Sequence, residues 1–296
     1  TAPGLWSLDN YGNKLIATIF DGATFEWDSD GSTSTRATIV ANAPTAAIKT
    51  LVSTPDRHLV FIGTETTIGT TSTQDDMYIR WSDQESINAS TSYAPSATNT
   101  AGTQRLADGT RIVSAIRGRD AIYIWTDTSL FIMRFVGAPF VFSFQQVGTN
   151  CGLIGKNAAV EVDGSAYWMS ENGFFRYTGK LDSLACLVED YVYDDINTVP
   201  RQHIYAGLNN LFGEVTWFYP GSGAASNNRS VTYNYMDSTA ERPVWTTSSL
   251  ARSTWSDSHI FGKPHATEYD SDSTSDSTVG NTDGCTTYYE HETGNN

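Results

Sequence analysis

One unit recurs along this chain: a strand-like run, a turn, and a second run carrying aromatic residues. Residues 15–18 lead to 25–28, 58–61 to 78–81, 121–125 to 130–133, 166–169 to 173–177, and 213–218 to 230–235. The spacing is roughly 40 to 50 residues, the period of propeller blades. An array of short strands at that period favours a β-propeller over a sandwich. The expectation is an all-β fold: a β-propeller of about six blades with one or two short helices between blades. It is a single domain over 1–296, with candidate blades at 5–43, 44–107, 108–150, 151–199, 200–250 and 251–293.

Local signals agree with strands. Asp21-Gly22, Asp30-Gly31, Asp108-Gly109, Asp163-Gly164, Asn172-Gly173 and Asp283-Gly284 are turn dipeptides. Between the turns lie apolar runs at 14–20, 58–63, 77–81, 111–116, 121–125, 130–136 and 231–235, too short for helices. A helix is expected only at 187–196, where Val188, Tyr191, Val192 and Ile196 recur at helical spacing.

The stretch AYWMSENGFFRYTG (166–179) poses the functional question. Asn172-Gly173 predicts a type I′ hairpin, with positive φ at both residues. The flanking strands carry large residues on both faces, as strands packed between other sheets do. Its rings are then the interior of a sheet stack. The competing reading is a binding platform for sugars or bases. Burial decides between them: if Trp125, Trp168 and Trp217 lie between blades they bind nothing.

Composition limits the chemistry. The 296 residues carry a formal net charge of −15, which argues against a free-standing nucleic-acid binder and suits an acidic conduit through which DNA slides without sticking. The aromatic content of 12% marks a globular chain, and the charged fraction of 17% is low. No run is long and apolar enough to span a membrane. Cys151, Cys186 and Cys285 are far apart and odd in number, which outlines neither a disulfide framework nor a CxxC metal site. The chain starts at Thr1 without Met and both ends look cut from something longer.

The search for catalytic signatures returns none. There is no GxSxG elbow, P-loop or HExxH, and the segment 27–33 has the wrong spacing for a sialidase Asp-box. The pairs Asp75-Asp76 and Asp194-Asp195 read as turn and helix-end residues, not as glycosidase carboxylates. Arg117-Gly118-Arg119-Asp120 is a basic turn, either solvated or meeting an acidic neighbour. The 270–276 loop alternates Asp as calcium loops do but lacks their Gly and terminal Glu. No catalytic, cofactor-binding or metal residues are assigned, and no cofactor is expected.

Five phrases carry a resemblance: LWSLDNYGNKLIA (5–17), WTDTSLFIM (125–133), GAPFVFSFQQVGTNCGLIG (137–155), FFRYTG (174–179) and YVYDDIN (191–197). Together they resemble propeller-bearing structural proteins of tailed bacteriophages, nearest to the tail nozzle or stabilisation protein of short-tailed phages. The resemblance covers most of 5–265. It implies a non-enzymatic virion component, six copies in a ring below the portal and adaptor proteins, with tail fibres as further partners and DNA only passing through. Nozzle proteins carry extra β domains, so the single domain fits a partial chain. Loops 63–76, 88–105, 220–229 and 268–284 are the expected contact regions. The alternative is a carbohydrate-binding propeller or receptor-binding virion protein, its tryptophans and tyrosines stacking on sugars.

Overall fold

The computed structural model describes residues 5–54, 56–257, 264–269 and 286–290. The chain forms two compact units, 1–152 and 153–296.

The first unit holds three four-stranded antiparallel sheets, each a meander in chain order. Sheet one is β1 (Trp6–Tyr11), β2 (Lys14–Ile19), β3 (Thr24–Asp28) and β4 (Thr38–Ile39). Sheet two is β5 (Ala47–Ser53), β6 (His58–Thr64), β7 (Tyr78–Trp81) and β8 (Gly102–Arg105). Sheet three is β9 (Ile112–Arg117), β10 (Ile122–Thr126), β11 (Ser129–Gly137) and β12 (Val141–Thr149). The first strands of successive sheets lie against one another, β1 on β5 and β5 on β9.

Strand β6 explains why the sheets stack. All seven of its residues are buried. Side chains alternate between faces along a strand. Leu59 and Phe61 pack with Ile16, Val40 and Val52 toward sheet one. Val60 and Ile62 pack with Ile79, Ile112, Ile124 and Phe131 toward sheet three. A strand apolar on both faces needs a layer on each side. Buried hydroxyls add directional links: Thr18 Oγ1 lies 2.7 Å from Thr24 Oγ1 and 2.5 Å from Thr50 Oγ1, joining β2, β3 and β5.

The second unit repeats the pattern. One sheet is β13 (Ala159–Val162), β14 (Ser165–Ser170), β15 (Gly173–Tyr177) and β16 (Leu181–Leu184). The next is β17 (Tyr205–Asn209), β18 (Glu214–Tyr219), β19 (Arg229–Asn234) and β20 (Trp245–Ser248). The last, three-stranded among the described residues, is β21 (Thr254–Ser256), β22 (His265–Tyr269) and β23 (Thr286–Glu290). Aromatic rings join the sheets: Phe174 of β15 lies 5.0 Å from Trp217 and 4.8 Å from Trp245, and Trp217 Nε1 donates to Ala158 O at 2.9 Å. Each sheet falls inside one of the segments that the sequence marks as a blade.

Two expectations need correction. In the 166–179 hairpin Ser170 pairs with Gly173, so the connecting residues are Glu171 and Asn172, not Asn172 and Gly173. Gly173 has φ of 128°, while Asn172 keeps a negative φ, so the turn is not type I′. The turn is held from outside instead: Tyr193 Oη donates to Ser170 O at 2.6 Å and accepts from Gly173 N at 3.1 Å. Asp163-Gly164, by contrast, has positive φ at both residues, as type I′ requires. The helix is also shorter than expected. α1 spans Glu189–Asp195, and of its side chains only Val192 is buried, while Leu187 and Tyr191 are exposed. Two 3₁₀ turns, Thr71–Thr73 and Arg201–His203, carry no sequence signal that separates them from loop.

Trp217 offers a direct test of sheet stacking. Trp217→Ala should destabilise the fold by about 3–5 kcal/mol, because the cavity adds to the lost transfer energy. Chemical denaturation followed by fluorescence checks this; a loss below about 1 kcal/mol would show that the ring is not part of a close-packed layer.

Candidate functional site

The tryptophans answer the question that 166–179 raised. Trp125, Trp168 and Trp217 are fully buried, and Phe174 with them. Their rings lie within the sheet layers and form no platform.

The expected contact loops are more internal than their polarity suggests. Glu65, in the 63–76 loop, is buried, accepting from Gly69 N at 2.7 Å and from the Thr45 hydroxyl. Buried Arg80 donates to the carbonyls of Tyr93 (2.8 Å), Thr66 (2.9 Å) and Glu65 (3.3 Å), tying 63–76 to 88–105. Tyr93 anchors the second loop, its hydroxyl donating to Ile87 O at 2.7 Å. In 220–229, buried Asn227 donates to His203 O and Arg252 O at 2.7 and 2.8 Å. The 270–276 calcium candidate and most of 268–284 lie outside the described residues, as does Cys285.

One member of each carboxylate pair is held by an arginine. Burial disfavours the charged form of Asp75, but Arg105 Nε at 2.7 Å and the Met77 amide outweigh it and hold that carboxyl below its usual range. Its neighbour Asp76 is pushed upward by partial burial and by Asp21 and Asp75. Asp195 binds Arg229 Nε at 3.1 Å at the end of α1. Burial pushes the Cys151 and Cys186 thiols up to about 11, which keeps them protonated and poorly nucleophilic near neutral pH. No cluster of three or more His, Cys, Asp or Glu that could hold a metal occurs among the described residues.

The polar feature that sequence reading missed lies along β1, β5 and β9. Asp9 Oδ2 accepts from Val52 N at 2.8 Å, and Asp9 Oδ1 accepts from Arg117 Nη1 at 3.1 Å. The basic turn therefore meets an acidic neighbour within its own chain. Lys49 Nζ donates to Ser114 Oγ at 3.3 Å. Burial lowers Lys49 to about 8, against the opposing pull of Asp9. Lysine in an inner strand gives no periodic signal, since its stem packs like an aliphatic residue.

A concavity of about 340 Å³ opens in the second unit, lined by Arg176, Asp182, Ser183, Tyr233, Ser238 and Thr239. Arg176 Nη2 lies 3.4 Å from Asp182 Oδ2. Tyr233 is buried with its ring 4.8 Å from that of Trp245, so it presents no open face for stacking.

Comparison with known proteins bears on the fold. No family model matches the chain and no curated protein matches its sequence. Solved structures do. Sqt1 of Saccharomyces cerevisiae superposes with a TM-score of 0.55 at 10% identity, covering 90% of this chain and 69% of that one. Hsv2 of Kluyvelomyces marxianus gives 0.51 at 8% identity, covering 89% and 68%. The dihydro-heme d1 dehydrogenase NirN gives 0.52 at 10% identity, covering 90% and 51%. The fold is of the β-propeller type. These propeller relatives have unrelated roles, and likeness at this identity carries the fold alone.

Lys49 generates a pH prediction. Below about pH 8 both folded and unfolded chains hold the proton, and the folded state bears the cost of a buried charge. Between about 8 and the ordinary 10.5 the unfolded chain binds more protons, so this group's contribution to stability rises with pH. Lys49→Met should therefore be more stable than the parent at pH 7, by up to roughly 3 kcal/mol, with the gap closing toward pH 10.5. Parallel denaturation series on both proteins check it; a gap independent of pH would refute it. The parent–variant difference is needed because buried tyrosines such as Tyr219, raised to about 12, withdraw stability in alkali.

Proposed function

We propose that the chain is a non-enzymatic, six-bladed propeller that builds a bacteriophage tail, in a ring of six copies extending or closing the DNA channel below the portal and adaptor. The carrying observation is how apolar side chains are shared out. The tryptophan rings at 125, 168 and 217 are spent inside the sheet layers. Exposed apolar residues instead gather at three places: Trp6 and Leu8 on β1, Phe135, Val136 and Phe140 at the β11–β12 hairpin, and Leu211, Phe212 and Met236 near the β17–β18 turn. Such patches suit protein contacts more than small-molecule chemistry. A closed ring needs two different patches on each subunit. The net charge of −15 suits a wall that DNA slides past. The phage-tail resemblance of the sequence phrases supplies the identity of the assembly.

A second reading, a carbohydrate-binding propeller, is favoured by the 340 Å³ concavity with its guanidinium, carboxylate and hydroxyls. The buried ring of Tyr233 weighs against it.

Peptide mass spectrometry on density-gradient-purified virions separates the two. Peptides at a level of one ring per particle, relative to the major capsid protein, are the expected result. Absence from particles would overturn the tail reading and direct a glycan screen at the concavity. Ring formation is tested separately: Phe140→Asp should shift the native mass toward the monomer without lowering the melting temperature, since Phe140 is exposed.

A further inference from the structure

Asn172-Gly173, the chain's one Asn-Gly pair, is used by neither reading above. The pair is chemically reactive as well as turn-forming. An asparagine side-chain carbonyl lies within reach of the next backbone nitrogen, and a glycine there has no Cβ to obstruct the approach. Asn172 is exposed, and its carboxamide makes no hydrogen bond among the described residues, so it is free to rotate. The Asp-Gly pairs are not equivalent, because an ionised carboxylate is a poor electrophile.

The nitrogen is the restrained partner. Gly173 N donates to Tyr193 Oη at 3.1 Å, and the same phenol donates to Ser170 O at 2.6 Å. The Tyr193 ring is itself fixed by an edge contact with Phe174, the centroids 5.9 Å apart. An amide nitrogen engaged as a donor keeps its proton and its place in the turn, and both oppose its attack on a neighbouring carbonyl.

We propose that Asn172 is a site of spontaneous deamidation and that the Tyr193 hydroxyl sets its rate. Gly173 N attacks Asn172 Cγ: the N–Cγ bond forms, the Cγ–Nδ2 bond breaks, and ammonia leaves with the amide proton. Water then opens the cyclic imide at either carbonyl. The product is an aspartyl or isoaspartyl residue at 172, with release of a proton from the new carboxyl group. Either product puts a carboxylate next to Glu171 and close to Glu189, whose carboxylate oxygens lie 3.7 Å from where a Cβ on Gly173 would stand. The isoaspartyl form also adds a methylene to the main chain, which the Ser170–Gly173 pairing has no room to absorb. The modification thereby loosens the hairpin whose Phe174 packs on Trp217 and Trp245. The inference is independent of the tail reading, because it rests on one turn and the helix beside it.

The test incubates the full chain in mildly alkaline buffer and follows the peptide spanning 172 by mass spectrometry. Slow conversion of amide to acid at 172 is expected in the folded parent. Tyr193→Phe should speed it about fivefold, the rate equivalent of one hydrogen bond, and leave the other asparagines unchanged. The urea-unfolded parent should convert faster than either. Aged parent should melt at a lower temperature than fresh protein, whereas Asn172→Ser, which lacks the carboxamide, should not change on ageing. An unmodified 172 in both folded proteins would overturn the proposal. Equal rates in parent and Tyr193→Phe, or acceleration at every asparagine alike, would remove the phenol from it. If Tyr193→Phe does not fold, the parent decides: a folded rate several-fold below the unfolded one retains the restraint, and equal rates refute it.

Discussion

Strand β6 sets the constraint on which the first unit depends. It is buried along its whole length, and its alternate residues feed two different cores. Sheet two therefore cannot be a surface layer, and sheets one and three must both be present to cover it. Full burial of a Leu, Val, Ile or Phe side chain is worth about 1.5–3 kcal/mol. Losing either neighbouring sheet would expose several at once, which is comparable to the whole stability of a domain. The second unit meets the same demand with rings, Phe174 against Trp217 and Trp245, and Trp255 against Phe218 at 5.6 Å.

The strands were legible because the runs are apolar and short and the turns carry Asp-Gly or Asn-Gly. The segment 58–63 became β6 and 130–136 became β11, each within a residue or two. Register was not legible at 166–179. Asn-Gly signals a two-residue turn only when the hairpin is autonomous, and here a tyrosine twenty positions downstream holds the backbone one residue earlier. The helix was over-read because Val188 and Ile196, which fit the helical period, are its caps and not part of it, while Tyr191 faces solvent. A pattern of spacing does not record which face finds a partner.

The polar interior was less legible than the core. Ser, Thr and Asn in 88–103 look like solvent-facing loop, yet Tyr93 and Ser92 are buried and Arg80 gathers three carbonyls around them. Arg80 and Lys49 sit in strands where period-2 reading takes a charged residue as outward-facing. The contacts that satisfy them come from 13 to 65 residues away in sequence, beyond any local window.

The phenol of Tyr193 bridges both strands of the β14–β15 hairpin while belonging to α1. The turn has thereby delegated part of its own geometry to a distant side chain. Among descendants of such a sequence the two places are not free to drift separately. A lineage that trades the tyrosine for phenylalanine does best with a self-sufficient dipeptide at the bend, and one that keeps the tyrosine can relax the bend to almost any polar pair. Paired substitution at 193 and 171–172 is the historical trace this bond would leave.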